Sequence, residues 1–127
     1  MLDADRMTTA TPEDFFEGSD RGLVLYRAVV QTMQSFDADV DLRVSRSQIA
    51  FRRRRGFAYV WVPGRYVKSA VPLVLSIAVD RPLNSERFKE VVHPSPTVWM
   101  HHLELHETAE IDGEVIGWLQ TAYESAT

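Results

Sequence analysis

Four consecutive arginines, Arg52 to Arg55, lead directly into the aromatic-rich segment FAYVWV in the middle of the chain. Guanidinium groups bind phosphate and carboxylate groups, and aromatic rings stack on unpaired bases. Because alternate side chains of a strand share a face, Phe57, Tyr59 and Trp61 are predicted to lie on one side of a sheet. The stretch therefore predicts either an anion-binding surface with a stacking platform or an ordinary hairpin whose aromatic side faces the core.

The octamer RGFAYVWV, Arg55 to Val62, approaches the RNP1 pattern of RNA-recognition motifs and departs from it at Val62, where an aromatic residue is required. That fold also needs a helix between its RNP1 strand and the next strand, and here only the loop segment PGRYVKSAVP intervenes. We therefore reject the RNA-recognition fold. Nucleic-acid binding on another fold, through the same arginines and aromatic side chains, is kept as the alternative function.

A second group of residues with suitable chemistry is HHLELH, close to the C-terminus. In a strand, His102, Glu104 and His106 share one face, and His101 lies on the opposite face with the leucines. Two histidines and a carboxylate can bind zinc or iron(II), but strand spacing spreads three such ligands over about 13 Å. The main prediction therefore assigns no metal ligands. A small metal or ligand site built from His93, His102 and His106 is kept as the second alternative function.

Composition restricts the remaining classes. The chain of 127 residues is 45% hydrophobic and contains no cysteine, which excludes disulfides and thiolate catalysis. No signal peptide or membrane span is predicted, so we expect a cytoplasmic protein without a membrane partner. The sequence lacks GxSxG, P-loop, GxGxxG, HExxH and EF-hand patterns. This favours a non-catalytic role without a cofactor over an enzyme.

The charge distribution is uneven. The net charge is −4, yet residues 42–79 contain eight basic residues and no acidic residue. Such a block predicts an anion-binding surface, unless the acidic flanking segments fold over it and neutralise it.

The order of predicted elements indicates the fold class. Residues 1–10 are predicted to be a loose tail and residues 11–126 a single globular domain. Thr11 is predicted to cap a short helix, and a longer helix begins at Ser19 or Asp20. Alternating patterns then predict four neighbouring strands in DVDLRV, QIAFR, FAYVWV and VPLVLSIAV, and a fifth strand in WMHHLEL. A short helix capped by Asn84 or Ser85 is predicted before the fifth strand, and Asp112 is predicted to cap the last helix.

The helices and strands are segregated along the chain. We therefore predict an α+β fold, an antiparallel sheet of about five strands with N- and C-terminal helices packed on one face.

The order of these motifs resembles a small bacterial family, the domain of unknown function 5655, from about Thr11 to Ala126. The most specific positions of the resemblance are these: Phe51, Arg52, Phe57, Ala58, Trp99, His102, Asp112, Trp118, Ala122 and Tyr123. The resemblance implies an α+β domain that occurs alone or joined to other modules. It implies no established activity and no catalytic residues.

We predict a non-catalytic binding or accessory module that uses the basic hairpin as its contact surface. The candidate ligand- or anion-binding residues are Arg52, Arg54, Arg65 and Lys68, followed by His102. The predicted partner is a protein or an anionic ligand, and self-association as a homodimer is one form of this prediction.

Overall fold

The computed structural model describes residues 11–126, which form an α+β fold with one antiparallel sheet. The predicted fold class is confirmed, although the sheet has six strands where about five were predicted. The helices are α1 (Pro12–Phe15), α2 (Asp20–Gln34) and α3 (Gly113–Ser125). The strands are β1 (Asp41–Val44), β2 (Ile49–Arg52), β3 (Gly56–Trp61), β4 (Leu73–Val79), β5 (Glu90–Ser95) and β6 (Val98–Leu105). The predicted N-terminal tail lies outside the described residues.

The N-terminal caps of α1 and α3 are those that the sequence predicts. The Thr11 hydroxyl oxygen accepts a hydrogen bond from the Asp14 N–H at 3.1 Å, and Asp112 accepts one from the Val115 N–H at 3.2 Å. Each contact satisfies a backbone donor that the first helical turn leaves without a partner. Short polar side chains at these two positions therefore define where α1 and α3 begin.

The strands lie in the order β1-β2-β3-β4-β6-β5, and all neighbours are antiparallel. The predicted succession of the first four strands is confirmed. Only a single 3-10 turn, Pro63–Arg65, interrupts the connection between β3 and β4. No packed helix lies in this connection, so the rejection of the RNA-recognition fold stands.

The prediction of a short helix after Asn84 or Ser85 is wrong. This segment has no helix, and β5 follows it on the outer side of β6. Other contacts hold it in place: the Leu83 N–H donates to His101 Nε2 at 2.9 Å, and the Lys89 N–H donates to the His102 carbonyl oxygen at 2.8 Å. Pro94 is tolerated in β5 because an edge strand has a row of backbone groups that pair with nothing.

The two faces of the sheet differ in cover. On one face, the buried strand residues pack under α2 and α3; they include Ile49, Phe51, Ala58, Val60, Leu75, Ile77, Leu103 and Leu105. The other face carries no helix in the described part of the chain, and we call it the open face. By register, the open face bears Asp41, Arg43, Ala50, Arg52, Tyr59, Trp61, Val74, Ser76, Ala78, Met100, His102, Glu104, Glu90 and Val92. None of the helices within residues 11–126 is long and apolar enough to cross a membrane.

Candidate functional site

A β-bulge decides which aromatic side chains of β3 reach the open face. Arg52 pairs with Gly56 and Phe51 pairs with Ala58, so Phe57 is an extra residue in its strand. The Phe57 side chain is 1% exposed and packs edge-on against the Tyr123 ring of α3, with ring centroids 5.5 Å apart. Tyr59 and Trp61 are half-buried on the opposite side. The prediction that all three aromatic residues share one face is therefore wrong.

The arginine run divides between the fold and the surface. Arg53 donates to the Tyr123 carbonyl oxygen at 3.2 Å and stacks over the Tyr123 ring, and Arg55 donates to the Ser125 carbonyl oxygen at 2.6 Å. The Arg54 backbone N–H donates to the Ala126 carbonyl oxygen at 3.3 Å. The C-terminal carbonyls of a helix carry partial negative charge and lack helical partners. Arg53 and Arg55 therefore hold the end of α3.

The other predicted basic residues lie apart from one another. The Arg54 side chain is exposed at the hairpin before β3, whereas Arg65 follows β3 and stacks on the Phe15 ring at 4.4 Å. The six-residue strand between them spans about 20 Å. Arg52 lies at the margin of the open face, and Lys68 is exposed in the loop after the 3-10 turn. An anion-binding role for these residues stays a prediction.

A hydrogen-bonded chain of three side chains occupies the centre of the open face. Trp61 Nε1–H donates to Ser76 Oγ at 3.0 Å, and Ser76 Oγ lies 2.6 Å from His102 Nδ1. Ser76 Oγ accepts from Trp61 and keeps both its hydrogen and a second lone pair, so it bonds to either tautomer of His102. Burial lowers the pKa of His102 against the opposing effect of Glu90, so this imidazole is neutral near pH 7.

This chain forms part of the floor of an open groove of about 490 Å³. The groove is lined by Ser47, Gln48, Tyr59, Trp61, Tyr66, Ser76, Met100 and His102. Tyr66 comes from the loop after β3; its hydroxyl donates to the Ser47 carbonyl oxygen at 3.3 Å, and its ring centroid lies 6.4 Å from that of Trp61. Tyr66 thereby ties this loop to the β1–β2 turn. The groove presents aromatic surfaces around a few polar groups.

Sequence reasoning missed two of the central groups of the groove, Ser76 and Tyr66. The signal for Ser76 was present, because it is the one polar residue in the apolar segment LVLSIAV and pairs across the sheet with His102. No local pattern indicated Tyr66, since its place depends on how the loop folds back over the sheet.

The Ser76–His102 pair has the composition of a nucleophile and its base but not the required access. The Ser76 side chain is 3% exposed, and its oxygen is engaged by the indole N–H of Trp61. A nucleophile must reach a substrate carbonyl or phosphoryl group, and a side chain as buried as that of Ser76 does not. The arrangement is suited to recognition, in which the His102 imidazole contacts a partner beside the aromatic rings.

The histidines proposed for a metal or ligand site are not brought together. His93 stacks on Trp99 with ring centroids 3.8 Å apart, whereas His102 bonds to Ser76 on the open face. His106 follows β6, and its backbone N–H donates to Glu110 Oε1 at 2.6 Å. Within residues 11–126, no group of three histidine, aspartate or glutamate side chains is placed to hold a metal ion.

Comparison with models of protein families identifies the family of this chain. The model of the family described as "Domain of unknown function (DUF5655)" matches residues 13–126. The resemblance noted in the sequence is thereby confirmed. No curated protein and no solved structure matches the chain.

Proposed function

We propose that this chain, which belongs to the DUF5655 family, is a cytoplasmic, non-catalytic accessory module that binds a protein partner through the open face of its sheet. One observation supports this proposal most strongly: Tyr59, Trp61, Tyr66 and Met100 lie together on a face that no helix of the described chain covers. Tyrosine, tryptophan and methionine are enriched in protein–protein interfaces, and tyrosine and tryptophan often contribute most of the binding energy.

The hydrogen bonds of this face favour binding further. Ser76 fixes both the Trp61 indole and the His102 imidazole, and Tyr66 is held by the Ser47 carbonyl oxygen. A side chain that is already ordered loses less conformational entropy when a partner arrives. These aromatic groups therefore form a pre-organised contact surface.

The hairpin between β2 and β3, which contains Arg52 to Arg55, has a secondary part in this proposal. Arg53 and Arg55 are occupied by the carbonyl groups of α3, so two of the four arginines serve the fold. Arg52, on the margin of the open face, supplies charge to the rim of the interface, where it affects partner choice and association rate more than affinity.

Site-specific photocrosslinking in the cell tests this function. A photoreactive phenylalanine analogue is placed at Tyr66 on the groove and, as a matched control, at Val24 on α2; the two residues are 56% and 55% exposed. We expect protein adducts from position 66 that disappear in the Trp61→Ala background, and few adducts from position 24. Equal yields from both positions, or no adduct from position 66, would contradict the proposal.

A second candidate function is binding of single-stranded nucleic acid. It is favoured by the position of Tyr59 and Trp61, half-buried on the same face as Arg52. Aromatic rings beside basic groups bind unpaired bases and phosphates with a steep salt dependence. We expect retention of a single-stranded oligonucleotide at low salt that is lost in the double variant Arg52→Ala, Arg54→Ala. Absence of retention at low salt would rule this function out.

A further inference from the structure

We infer that the partner of the open face is a second copy of the same chain, which docks face to face about a two-fold axis parallel to the strands. The inference rests on the proposed function and names the partner for that surface. The supporting observation is the distribution of basic and acidic residues across the strands of the sheet. The basic residues of the open face lie on β1 and β2, and its acidic residues lie on β6 and β5, with the exception of Asp41 on β1.

One cross-strand row shows this order most clearly. Successive register pairs place six residues side by side across all six strands: Arg43, Ala50, Tyr59, Ser76, His102 and Glu90. The row begins with a cation, ends with an anion and has the aromatic groove in its middle. Its centre falls between β3 and β4, which leaves three strands on either side.

A two-fold axis through that centre, parallel to the strands, matches the row to itself. It places Arg43 opposite Glu90 of the second copy and Tyr59 opposite Ser76 of the second copy. Because a two-fold axis makes each contact twice, one interface contains two such Arg43–Glu90 pairs. A two-fold axis perpendicular to the strands would instead place each strand against its own copy, with Glu90 facing Glu90. The charge order therefore selects the first arrangement.

The residues concerned are available for such a contact. The side chain of Arg43 is 67% exposed, and its ion pair with Asp41, at 3.8 Å, is also exposed and therefore weak. Glu90 is exposed on the edge strand. Val67 and Tyr66, among the most exposed large apolar side chains of residues 11–126, lie in the loop beside the groove. Sheets that pack face to face lie about 10 Å apart with interdigitated side chains, so the groove would receive side chains of the second copy.

Sedimentation equilibrium of the purified chain with charge-reversal variants tests this dimer. We expect the unmodified chain to dimerise at micromolar concentration. Arg43→Glu and Glu90→Arg should each weaken dimerisation about a hundredfold, because each places like charges opposite one another. An equimolar mixture of the two variants should recover the lost affinity as a heterodimer, because both of its 43–90 pairs again join opposite charges. Arg27→Glu, an exposed reversal on α2, is the matched control and should leave dimerisation unchanged.

Recovery in the mixture also shows that both variants are folded. A chain that is monomeric throughout the micromolar range would overturn the inference, as would a dimer that is insensitive to both reversals. A dimer lost in each variant but not recovered in the mixture would overturn the proposed axis. A monomeric chain that still forms adducts with other proteins from position 66 would overturn the dimer and leave the proposed function standing.

Discussion

Replacement of His101 by leucine tests how a buried histidine stabilises this fold. The His101 side chain is 0% exposed and lies on the helix-covered face of β6. Its Nε2 accepts from the Leu83 N–H at 2.9 Å, so Nδ1 carries the proton and donates to the Ile77 carbonyl oxygen at 3.0 Å. The imidazole thereby joins the loop before β5 to strand β4.

The expected cost follows from these two bonds. Leucine nearly preserves the volume but leaves the Leu83 N–H without this partner and removes the side-chain hydrogen bond to the Ile77 carbonyl oxygen. Leaving a buried polar group unsatisfied costs about 1–3 kcal/mol. We therefore expect His101→Leu to lower the free energy of unfolding by about 2–4 kcal/mol at pH 7.5, a large part of the roughly 5–15 kcal/mol typical of a domain.

The pH dependence has a definite sign. Burial lowers the pKa of His101 in the folded chain below its ordinary value of 6.5, so the unfolded chain takes up a proton first as the pH falls. The stabilisation is fully present above about pH 6.5 and is lost as the pH falls below that value toward the lowered pKa, at up to about 1.4 kcal/mol per pH unit. Because His101→Leu removes this proton uptake, the difference between the two chains should shrink at pH 5.5.

Urea denaturation at pH 7.5 and pH 5.5 measures both effects. The control is His106→Leu, since His106 is exposed, and we expect a change below about 0.5 kcal/mol. Full stability of His101→Leu at pH 7.5, or a difference from the unmodified chain that grows on acidification, would refute the reasoning.

Three further substitutions test other contacts by the same denaturation assay. Arg55→Met should lower the free energy of unfolding by about 1 kcal/mol because it removes the hydrogen bond to the end of α3, whereas Arg54→Met should change little; equal effects would contradict this division of the arginines. Gly56→Ala should destabilise the chain by about 1–3 kcal/mol because the Tyr59 hydroxyl occupies the space of the new methyl group, and Tyr59→Leu should relieve the clash. Ser76→Ala should cost about 1–3 kcal/mol because it leaves the Trp61 indole N–H unpaired, and unchanged stability would show that this bond contributes nothing.

Much of the fold is predictable from local sequence patterns. The caps at Thr11 and Asp112 and the alternating strands depend on neighbours within a few residues, and these elements appear where they were predicted. The face of β6 that carries His101 and Leu103 is also correct, because the pattern of apolar residues there is regular.

The errors arise where distant contacts override local preference. The segment after Asn84 has a plausible helix cap, but bonding to His101 and pairing with β6 fix it in an extended form. The bulge at Phe57 breaks the alternation from which the aromatic face was predicted. Tyr66 enters the groove only because its loop returns to the β1–β2 turn, a placement that no short stretch of sequence encodes.

Because of the bulge at Phe57, insertions and deletions in the hairpin before β3 can affect one face of this strand without affecting the other. The orientation of Tyr59 and Trp61 is fixed by their pairing with Ser76 and Val74 on β4. This pairing of β3 with β4 begins beyond the bulge. An insertion or deletion in the hairpin before Ala58 can therefore change the inner filling of the sheet without turning the outer aromatic rings inward. Relatives with hairpins of different lengths should accordingly keep the same outward-facing pair.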